Sequence, residues 1–281
     1  MSLLWINGTL IDKTEARVSP FDHGFTYGDG VWEHLRVFNG KPFRAVEHLN
    51  KLFTAAETLG IVIPLPREEL IAAIEATARA NNRTEGYVRV IVSRGPGTLG
   101  PDPRKVVPQV IIIAEEYRPF PDELTGHGLH AVIFPVPLDT DHPANRVRTL
   151  GQPHIVLAKQ HALKHGCLEA ILTNHSGRLV GTTEGFLFLV KDGALVVAGD
   201  QPTDVTGFAV AAFAPELGEI VVEYSVKADD LYASDEVFIA GTACGVISLV
   251  RVDGKNIGTG TEGPVTRAIR EHYHAITRAQ G

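Results

Sequence analysis

The chain has few cysteines, no excess of positive charge and no long apolar run at its start. Its two cysteines, Cys167 and Cys244, lack the spacing of a metal site and do not imply a disulfide scaffold. The formal net charge of -7 argues against nucleic acid or an acidic membrane surface as the main partner. Residues 1–8 contain no basic segment followed by an apolar stretch. Neither a signal peptide nor a membrane span is therefore predicted, and the cytoplasm is the expected location.

The 281 residues are 44% hydrophobic and 21% charged, which is typical of a globular protein with a substantial core. No GxGxxG motif follows a strand and opens a helix, so a dinucleotide-binding fold has no support. Residues 117–122 contain two prolines and interrupt the hydrophobic pattern. The predicted organisation is a small N-terminal domain over 1–116, a linker over 117–127 and a larger C-terminal domain over 128–281.

Hydrophobic periodicity predicts alternating strands and helices throughout the chain. Predicted strands cover 4–10, 31–38, 87–93, 106–114, 129–136, 170–173, 186–190, 194–197 and 236–240. Predicted helices cover 46–59, 66–80, 153–165, 205–217 and 264–279. This pattern indicates a mixed fold of the α+β or α/β class.

Several ordered blocks resemble those of one enzyme family. They are residues 18–36 (VSPFDHGFTYGDGVWEHLR), 47–52 (EHLNKL), 86–89 (GYVR), 233–243 (ASDEVFIAGTA) and 258–266. Together they resemble the class IV aminotransferases, which include branched-chain aminotransferases, D-amino acid transaminases and aminodeoxychorismate lyases. The resemblance implies pyridoxal phosphate fold type IV. That fold has a small α/β domain and a larger barrel-like domain, forms a homodimer and has its site between the domains.

Residues 146–160 (RVRTLGQPHIVLAKQ) resemble the segment that holds pyridoxal phosphate in this family. The resemblance places Arg148 where the family has a lysine, whose amine forms the Schiff base. A guanidinium stays protonated in proteins and cannot act as that nucleophile. A slip in register is the alternative, but the nearest lysine, Lys159, itself matches another family position.

Two further family positions are altered beside the cofactor ring. The resemblance places Gly181 where the family has a carboxylate that hydrogen-bonds the pyridine nitrogen. That carboxylate keeps the ring protonated, so that the ring can act as an electron sink. Phe186 stands where an asparagine is usual. Glu184 is close in sequence, and we expect it to be a solvated loop residue rather than a replacement carboxylate.

The phosphate-binding positions are altered as well. Lys51 replaces an arginine, which keeps the charge and loses the bidentate fork. Asp204 replaces a glycine at a helix start, where its carboxylate can cap the helix and would repel a phosphate. Thr206 and Thr242 remain as vestigial phosphate ligands or as structural hydroxyls. These changes predict no cofactor, with pyridoxal phosphate possible only noncovalently.

The resemblance places another set of residues near the substrate. This set comprises Tyr27, Trp32, Arg36, Tyr87 and Arg89. The alternative is structural, with the two arginines paired to carboxylates and Tyr27 and Trp32 in the core. Arg146 and Arg148 share one face of an extended segment and predict an anion site. The alternative is that Arg148 pairs with Asp204 or Glu184.

The twelve histidines prompt a search for metal and acid–base sites. His161 and His165 have the i, i+4 spacing of metal ligands on a helix, but no HExxH motif accompanies them, so a surface helix face is preferred. No metal is expected. His154 is a candidate acid or base because imidazole titrates near neutral pH, with a helix-start histidine as the alternative. Cys244 is interpreted as a small packed side chain.

Three functions remain open at this stage. The first is a cofactor-independent lyase, isomerase or hydrolase acting on a small carboxylated metabolite. In it Arg148 and Arg89 hold anionic groups, and His154 or Tyr27 moves a proton. The second is a non-catalytic ligand-binding protein in which Arg148 is locked in a salt bridge. The third is a residual pyridoxal-phosphate-dependent branched-chain or D-amino acid aminotransferase.

Overall fold

A computed structural model describes residues 2–199, 201 and 204–279. The chain forms two compact units. The first runs to Tyr117 and includes Pro143–Gln152 and the chain from Thr277, whereas the second comprises Arg118–His142 and Pro153–Ile276. The segment that carries Arg148 therefore packs with the first unit. The domain limits at 116 and 128 stay a prediction, because a compact unit need not fold on its own.

The first unit is a six-stranded sheet with two long helices. Its elements are β1 (Leu3–Ile6), β2 (Thr9–Asp12), α1 (His23–Tyr27), β3 (Gly30–Phe38), β4 (Lys41–Pro42), α2 (Ala45–Thr58), α3 (Arg67–Ala80), β5 (Gly86–Ser93) and β6 (Gln109–Glu115). The strand order is β2-β1-β6-β5-β3-β4, and all neighbours are antiparallel. A bridge between Val31 and Thr149 extends the edge of β3.

Alternate side chains of β3 point to opposite faces of the sheet, one of which packs in the core of this unit. Val31, Leu35 and Val37 are fully buried in the cluster that also contains residues of α2 and α3. Successive strand residues point to opposite faces, so Trp32 and Arg36 lie on the other face. Tyr87 and Arg89 of β5 are placed on that same face, because their cross-strand partners are Arg36 and His34.

The second unit is built on a longer sheet. Its elements are β7 (Leu129–Ile133), α4 (Pro153–Lys164), β8 (Glu169–Thr173), β9 (Leu179–Thr182), β10 (Phe186–Lys191), β11 (Ala194–Ala198), α5 (Val205–Phe213), β12 (Ile220–Tyr224), α6 (Ala228–Tyr232), β13 (Glu236–Gly241), β14 (Gly245–Val252), β15 (Lys255–Asn256) and the start of α7 (Pro264–Ala279). The strand order is β12-β11-β10-β13-β14-β7-β8-β9, with β15 beside β14. The predicted α+β fold, with one small and one larger curled sheet, is confirmed.

Most predicted elements are present, with shifted ends. The helix predicted over 205–217 ends as an α-helix at Phe213 and continues as a 3₁₀ turn over Ala214–Leu217. Pro215 explains the change, because proline has no backbone N–H for the α-helical ladder. Strands β9, β12 and β14 and the short helices α1 and α6 were not predicted.

Among the described residues, no helix is long and apolar enough to cross a membrane.

Candidate functional site

Trp32 lies at the centre of a cationic aromatic face in the first unit. The guanidinium carbon of Arg89 is 4.4 Å from the Trp32 ring centroid, and that of Arg148 is 5.0 Å from it. Backbone pairing brings Arg148 to this position, since the Trp32 amide donates to the Arg148 carbonyl at 3.1 Å. The indole Nε1 donates to the carbonyl of Thr149 at 3.0 Å. The strand edge therefore holds two cations against one aromatic ring, an electrostatically favourable arrangement.

Tyr87 connects Arg89 to a buried histidine on the same face. Arg89 Nη2 donates to the Tyr87 hydroxyl at 2.9 Å, and that hydroxyl lies 2.6 Å from His34 Nδ1. His34 is only 4% exposed. Burial, with the nearby Arg148 cation, holds the pKa of His34 well below its usual range, so the imidazole is neutral. His34 was not predicted as a site residue, although it alternates with Trp32 and Arg36 along one strand.

Glu33 is a buried carboxylate that lies against three basic side chains from two segments, α2 and the segment of Arg148. Its Oε2 lies 3.3 Å from Lys51 Nζ, and its Oε1 lies 3.7 Å from Arg148 Nε and 3.6 Å from His48 Nδ1. Burial alone would raise the pKa of Glu33, but Lys51, His48 and Arg148 hold it well below the usual range. Glu33 is therefore ionised. The sequence signal for this contact was the i, i+3 spacing of His48 and Lys51, which places both on one face of α2.

The other predicted residues of the first unit lie in different surroundings. Tyr27 is 48% exposed, contacts the ring of His23 edge-on and donates its hydroxyl to the Leu99 carbonyl. Arg36 lies over the ring of Phe38 at 5.6 Å. Arg146 is exposed on the Pro143–Gln152 segment. The structure thus brings Trp32, Tyr87, Arg89 and Arg148 together, with Lys51 reaching Arg148 through Glu33.

The start of α5 in the second unit is filled by side chains. Asp204 is 4% exposed, and its Oδ1 accepts from the amides of Thr206 at 2.9 Å and Gly207 at 3.0 Å. The predicted helix cap is confirmed. The hydroxyls of Thr206 and Thr242 lie 3.2 Å apart, and both residues are buried. The ring of Phe186 packs so closely on Gly207 that an added Cβ would lie 2.6 Å from its Cγ.

A second group of ionisable residues surrounds Lys159. Its Nζ donates to the Leu168 carbonyl at 2.6 Å and lies 3.7 Å from Glu184 Oε1. Only 19% of the Glu184 side chain is exposed, so the expectation of a solvated loop residue is wrong. Burial raises the pKa of the fully buried Glu169 to about 7, against the opposing effect of Lys159. Burial also raises the pKa of the Cys244 thiol well above its usual value, which agrees with a packed, unreactive cysteine.

The candidate histidines of the second unit lie on α4. His154 is the second residue of this helix, and partial burial lowers its pKa, which favours the neutral base form. The rings of His161 and His165 lie 4.2 Å apart, and His165 Nδ1 is 2.8 Å from the His161 carbonyl. Within the described parts of the chain, no group of three or more histidine, cysteine or acidic side chains is arranged to hold a metal.

Comparison with solved structures corrects the expectation of no cofactor. The T.th. branched-chain amino acid aminotransferase was solved with pyridoxamine 5'-phosphate. It matches with a TM-score of 0.94 and 29% identity, over 100% of this chain and 95% of its own. The same enzyme complexed with 4-methylvaleric acid matches with a TM-score of 0.93 and 28% identity, over the same shares. The prediction of no cofactor, with pyridoxal phosphate only noncovalent, is wrong in the light of these relatives.

Sequence relatives cover almost the whole chain. A putative branched-chain-amino-acid aminotransferase of Methanocaldococcus jannaschii is 37% identical over 99% of this chain and 97% of its own length. A D-alanine aminotransferase of Staphylococcus haemolyticus is 31% identical over 98% and 97%, respectively. The family described as Amino-transferase class IV matches residues 30–252. This chain therefore belongs to the class IV aminotransferase family.

Proposed function

We propose that this protein is an enzyme that acts on a small carboxylated metabolite through a lyase, isomerase or hydrolase step. The metabolite binds at the cationic aromatic face of the first unit, where Arg89 and Arg148 flank Trp32. The relatives support this substrate class, because two are named as aminotransferases of amino acids and one was solved with a carboxylic acid.

The proposal depends on a buried hydrogen-bond donor of Arg89. Its Nε is buried and has no hydrogen-bond partner among the described residues, whereas its Nη2 is held by Tyr87. A buried donor left unsatisfied costs about 1–3 kcal/mol, and more when it is charged. A ligand carboxylate at Nε would remove this cost. Arg89 and Arg148 place two cations over the Trp32 ring, and Glu33 lies against Arg148 and Lys51, so the Arg89 side of the ring favours an anionic ligand.

A pyridoxal-type cofactor is also proposed, on the strength of the relative solved with pyridoxamine 5'-phosphate. Such a cofactor would supply an electron sink if it were bound, but Gly181 offers no carboxylate to its ring nitrogen. The start of α5 does not fit its phosphate, because Asp204 already accepts from the amides of Thr206 and Gly207. Arg148 does not fit as its covalent partner, because a guanidinium stays protonated. The proposed roles of this chain's own residues therefore do not pass through the cofactor.

Proton transfer is proposed for one of two side chains, His154 or Tyr27. Burial lowers the pKa of His154, so near neutral pH the imidazole is in the form that accepts a proton. The Tyr27 hydroxyl, which donates to the Leu99 carbonyl, is a candidate proton donor. Substitution of the residue that transfers the proton, by His154→Gln or Tyr27→Phe, should lower turnover more than it weakens binding of the acid.

Calorimetric titration with 4-methylvalerate tests the carboxylate site directly. The wild type should bind this acid and reject its neutral isostere, 4-methylvaleramide. Arg89→Gln should weaken binding by about ten- to a hundredfold, the size expected for a lost hydrogen bond to a charged group. Arg79→Gln, at an exposed position on α3, is the matched control. Equal binding of acid and amide, with and without pyridoxamine 5'-phosphate, would exclude this site.

The second candidate is a ligand-binding protein without catalysis. The pairing of Arg148 with Glu33 favours it, because the arginine is then a structural cation. Incubation with carboxylated metabolites and pyridoxamine 5'-phosphate, followed by NMR, separates the possibilities. Binding without conversion supports the second candidate. Transfer of an amino group from a branched-chain or D-amino acid to an oxo acid would instead support an aminotransferase.

A homodimer is proposed as the working assembly. The first unit exposes large apolar side chains close to α1, with Phe25 at 74% and Leu99 at 75% exposure. Exposed apolar side chains of this size are common at protein interfaces. Light scattering after gel filtration should give twice the chain mass of 30.4 kDa, and the chain mass itself would contradict a dimer.

A further inference from the structure

His34 is joined to the carboxylate site by a short chain of contacts. Its Nδ1 lies 2.6 Å from the Tyr87 hydroxyl, which also accepts a hydrogen bond from Arg89 Nη2 at 2.9 Å. A guanidinium can only donate, so the direction of the second bond is fixed. The direction of the first depends on the tautomer of His34. Either Tyr87 donates its hydrogen to His34, or His34 donates to Tyr87.

Glu33 provides the physical reason for one tautomer. The Nε2 of His34 is buried without a hydrogen-bond partner among the described residues, and the ionised Glu33 Oε1 is 4.0 Å from it. An N–H dipole directed toward a negative charge is favourable, whereas a nitrogen lone pair in that place is repelled. The proton therefore belongs on Nε2, and Nδ1 is the acceptor. The Tyr87 hydroxyl then donates to His34 and accepts from Arg89.

We propose that His34 is a positioning residue that orients the Tyr87 hydroxyl, which in turn holds Arg89 with its Nε directed to the ligand carboxylate. This inference rests on the proposed function, since it assigns His34 to the same carboxylate site. The Trp32 ring supports the guanidinium at 4.4 Å, so Arg89 is held at two points before a ligand arrives. A flexible side chain that is already held in its bound orientation loses less conformational entropy when the ligand binds.

Nitrogen NMR on protein with ¹⁵N-labelled histidine tests the tautomer without any ligand. The signal that disappears in His34→Asn identifies His34 among the twelve histidines. The expected spectrum is that of a neutral ring with the proton on Nε2. A proton on Nδ1 would overturn the proposal, because Tyr87 would then accept two hydrogen bonds and turn its own hydrogen elsewhere.

Affinity for 4-methylvalerate tests the positioning role. His34→Leu removes the acceptor and should weaken binding by about tenfold, equivalent to one hydrogen bond's contribution. His34→Asn offers a carbonyl oxygen near the position of Nδ1 and should recover most of the affinity. In a Tyr87→Phe background His34→Leu should have no further effect, because the two residues act through one chain of contacts.

Structural and positioning roles give different results in these variants. Melting temperature and near-UV circular dichroism of each variant report whether the unit is still folded. Equal losses for His34→Leu and His34→Asn, or additive losses with Tyr87→Phe, would overturn the positioning role. If the wild type does not bind 4-methylvalerate at all, the proposed function fails, while the NMR spectrum still decides the tautomer of His34.

Discussion

Arg148 Nε lies 3.7 Å from Oε1 of Glu33, a carboxylate with only 2% of its side chain exposed. The second oxygen of the same carboxylate lies 3.3 Å from Lys51 Nζ. A buried anion between two cations avoids the large cost of an isolated buried charge. Arg148, which the family resemblance predicts to stand at the lysine position, thus has a charge partner within its own unit.

Replacing Glu33 with glutamine should destabilise the protein strongly at neutral pH. The change leaves Lys51 and Arg148 without their shared anion, and breaking such a buried group costs about 3–5 kcal/mol. The pKa of Glu33 is lowered in the folded state. The stabilisation of the fold by ionised Glu33 is therefore present above the pKa that this carboxyl has in the unfolded chain. It is lost as pH falls through the lower pKa that Glu33 has in the folded protein. Urea denaturation at a series of pH values measures the effect.

The control for this experiment is Glu57→Gln, which changes an exposed glutamate on α2. It should alter the free energy of unfolding by less than about 0.5 kcal/mol. The wild-type and Glu33→Gln curves should converge in acid, because protonated Glu33 no longer pairs with the cations. A difference independent of pH would show that Glu33 acts through packing and not through charge.

Arg148→Lys tests the alignment of this segment with the lysine of the family. A lysine amine can condense with the aldehyde of pyridoxal phosphate, and the arginine guanidinium cannot. After borohydride reduction and peptide mapping, the variant should carry the label at position 148 and the wild type should not. Arg146→Lys, two residues away on the same segment, is the matched control. Labelling at 146 in Arg146→Lys, with none at 148 in Arg148→Lys, would show that the register is shifted by two residues.

The part of the site that lies on the β3–β5 strand pair could be predicted from short sequence motifs. The family resemblance alone indicated Trp32, Tyr87 and Arg89, and the structure places them on one face of the β3–β5 pair. The Asp204 cap could be predicted because a cap involves only the next few amides. The β-rich second unit was predicted less completely, since strands such as β12 and β14 form by pairing with residues distant in the chain.

The spacing of His48 and Lys51 indicates that the two share a face of α2, but nothing in the sequence predicts that Glu33 and Arg148 meet them there. The contacts of Glu33 join β3 to α2 and to the segment of Arg148, which is 115 positions further along the chain. Glu184 was assigned to solvent because nothing local indicates that Lys159 folds against it. The cofactor expectation was wrong for a different reason. It treated substitutions at single positions as decisive, although a relative with the same fold was solved with pyridoxamine 5'-phosphate.

Asp204→Gly should create affinity for phosphate at the start of α5. The substitution frees the amides of Thr206 and Gly207 that Asp204 now occupies, and free amides at a helix start bind anions. Glycine is a tolerable cap, so the stability cost should be only a few tenths of a kcal/mol. Calorimetric titration with inorganic phosphate should detect binding to the variant and none to the wild type.

Asp204→Asn is the matched variant for this prediction. Asparagine keeps the capping oxygen and removes the negative charge. It should remain unable to bind phosphate if occupied amides are the obstacle. Phosphate binding to Asp204→Asn as tight as that to Asp204→Gly would mean that charge repulsion alone excludes the anion. Binding to the wild type would contradict the prediction altogether.

Glu169→Gln should stabilise the protein above neutral pH and leave it nearly unchanged in acid. Folding raises the pKa of Glu169 from 4.5 to about 7. The associated stabilisation is fully present below pH 4.5 and is lost as pH rises through 7, a change of about 3 kcal/mol. Glutamine resembles the protonated carboxyl and keeps an acceptor for the amides of Ala170 and Thr183.

Thermal and urea unfolding of Glu169→Gln between pH 5 and pH 9 checks the sign of this effect. The two proteins should unfold alike near pH 5, and the variant should be the more stable one near pH 9. Glu184→Gln is the informative comparison, because Glu184 pairs with Lys159 and its replacement should destabilise instead. If Glu169→Gln is less stable than the wild type at pH 9, the attraction of Lys159 for the Glu169 carboxylate outweighs the effect of burial, and folding does not raise the pKa of Glu169.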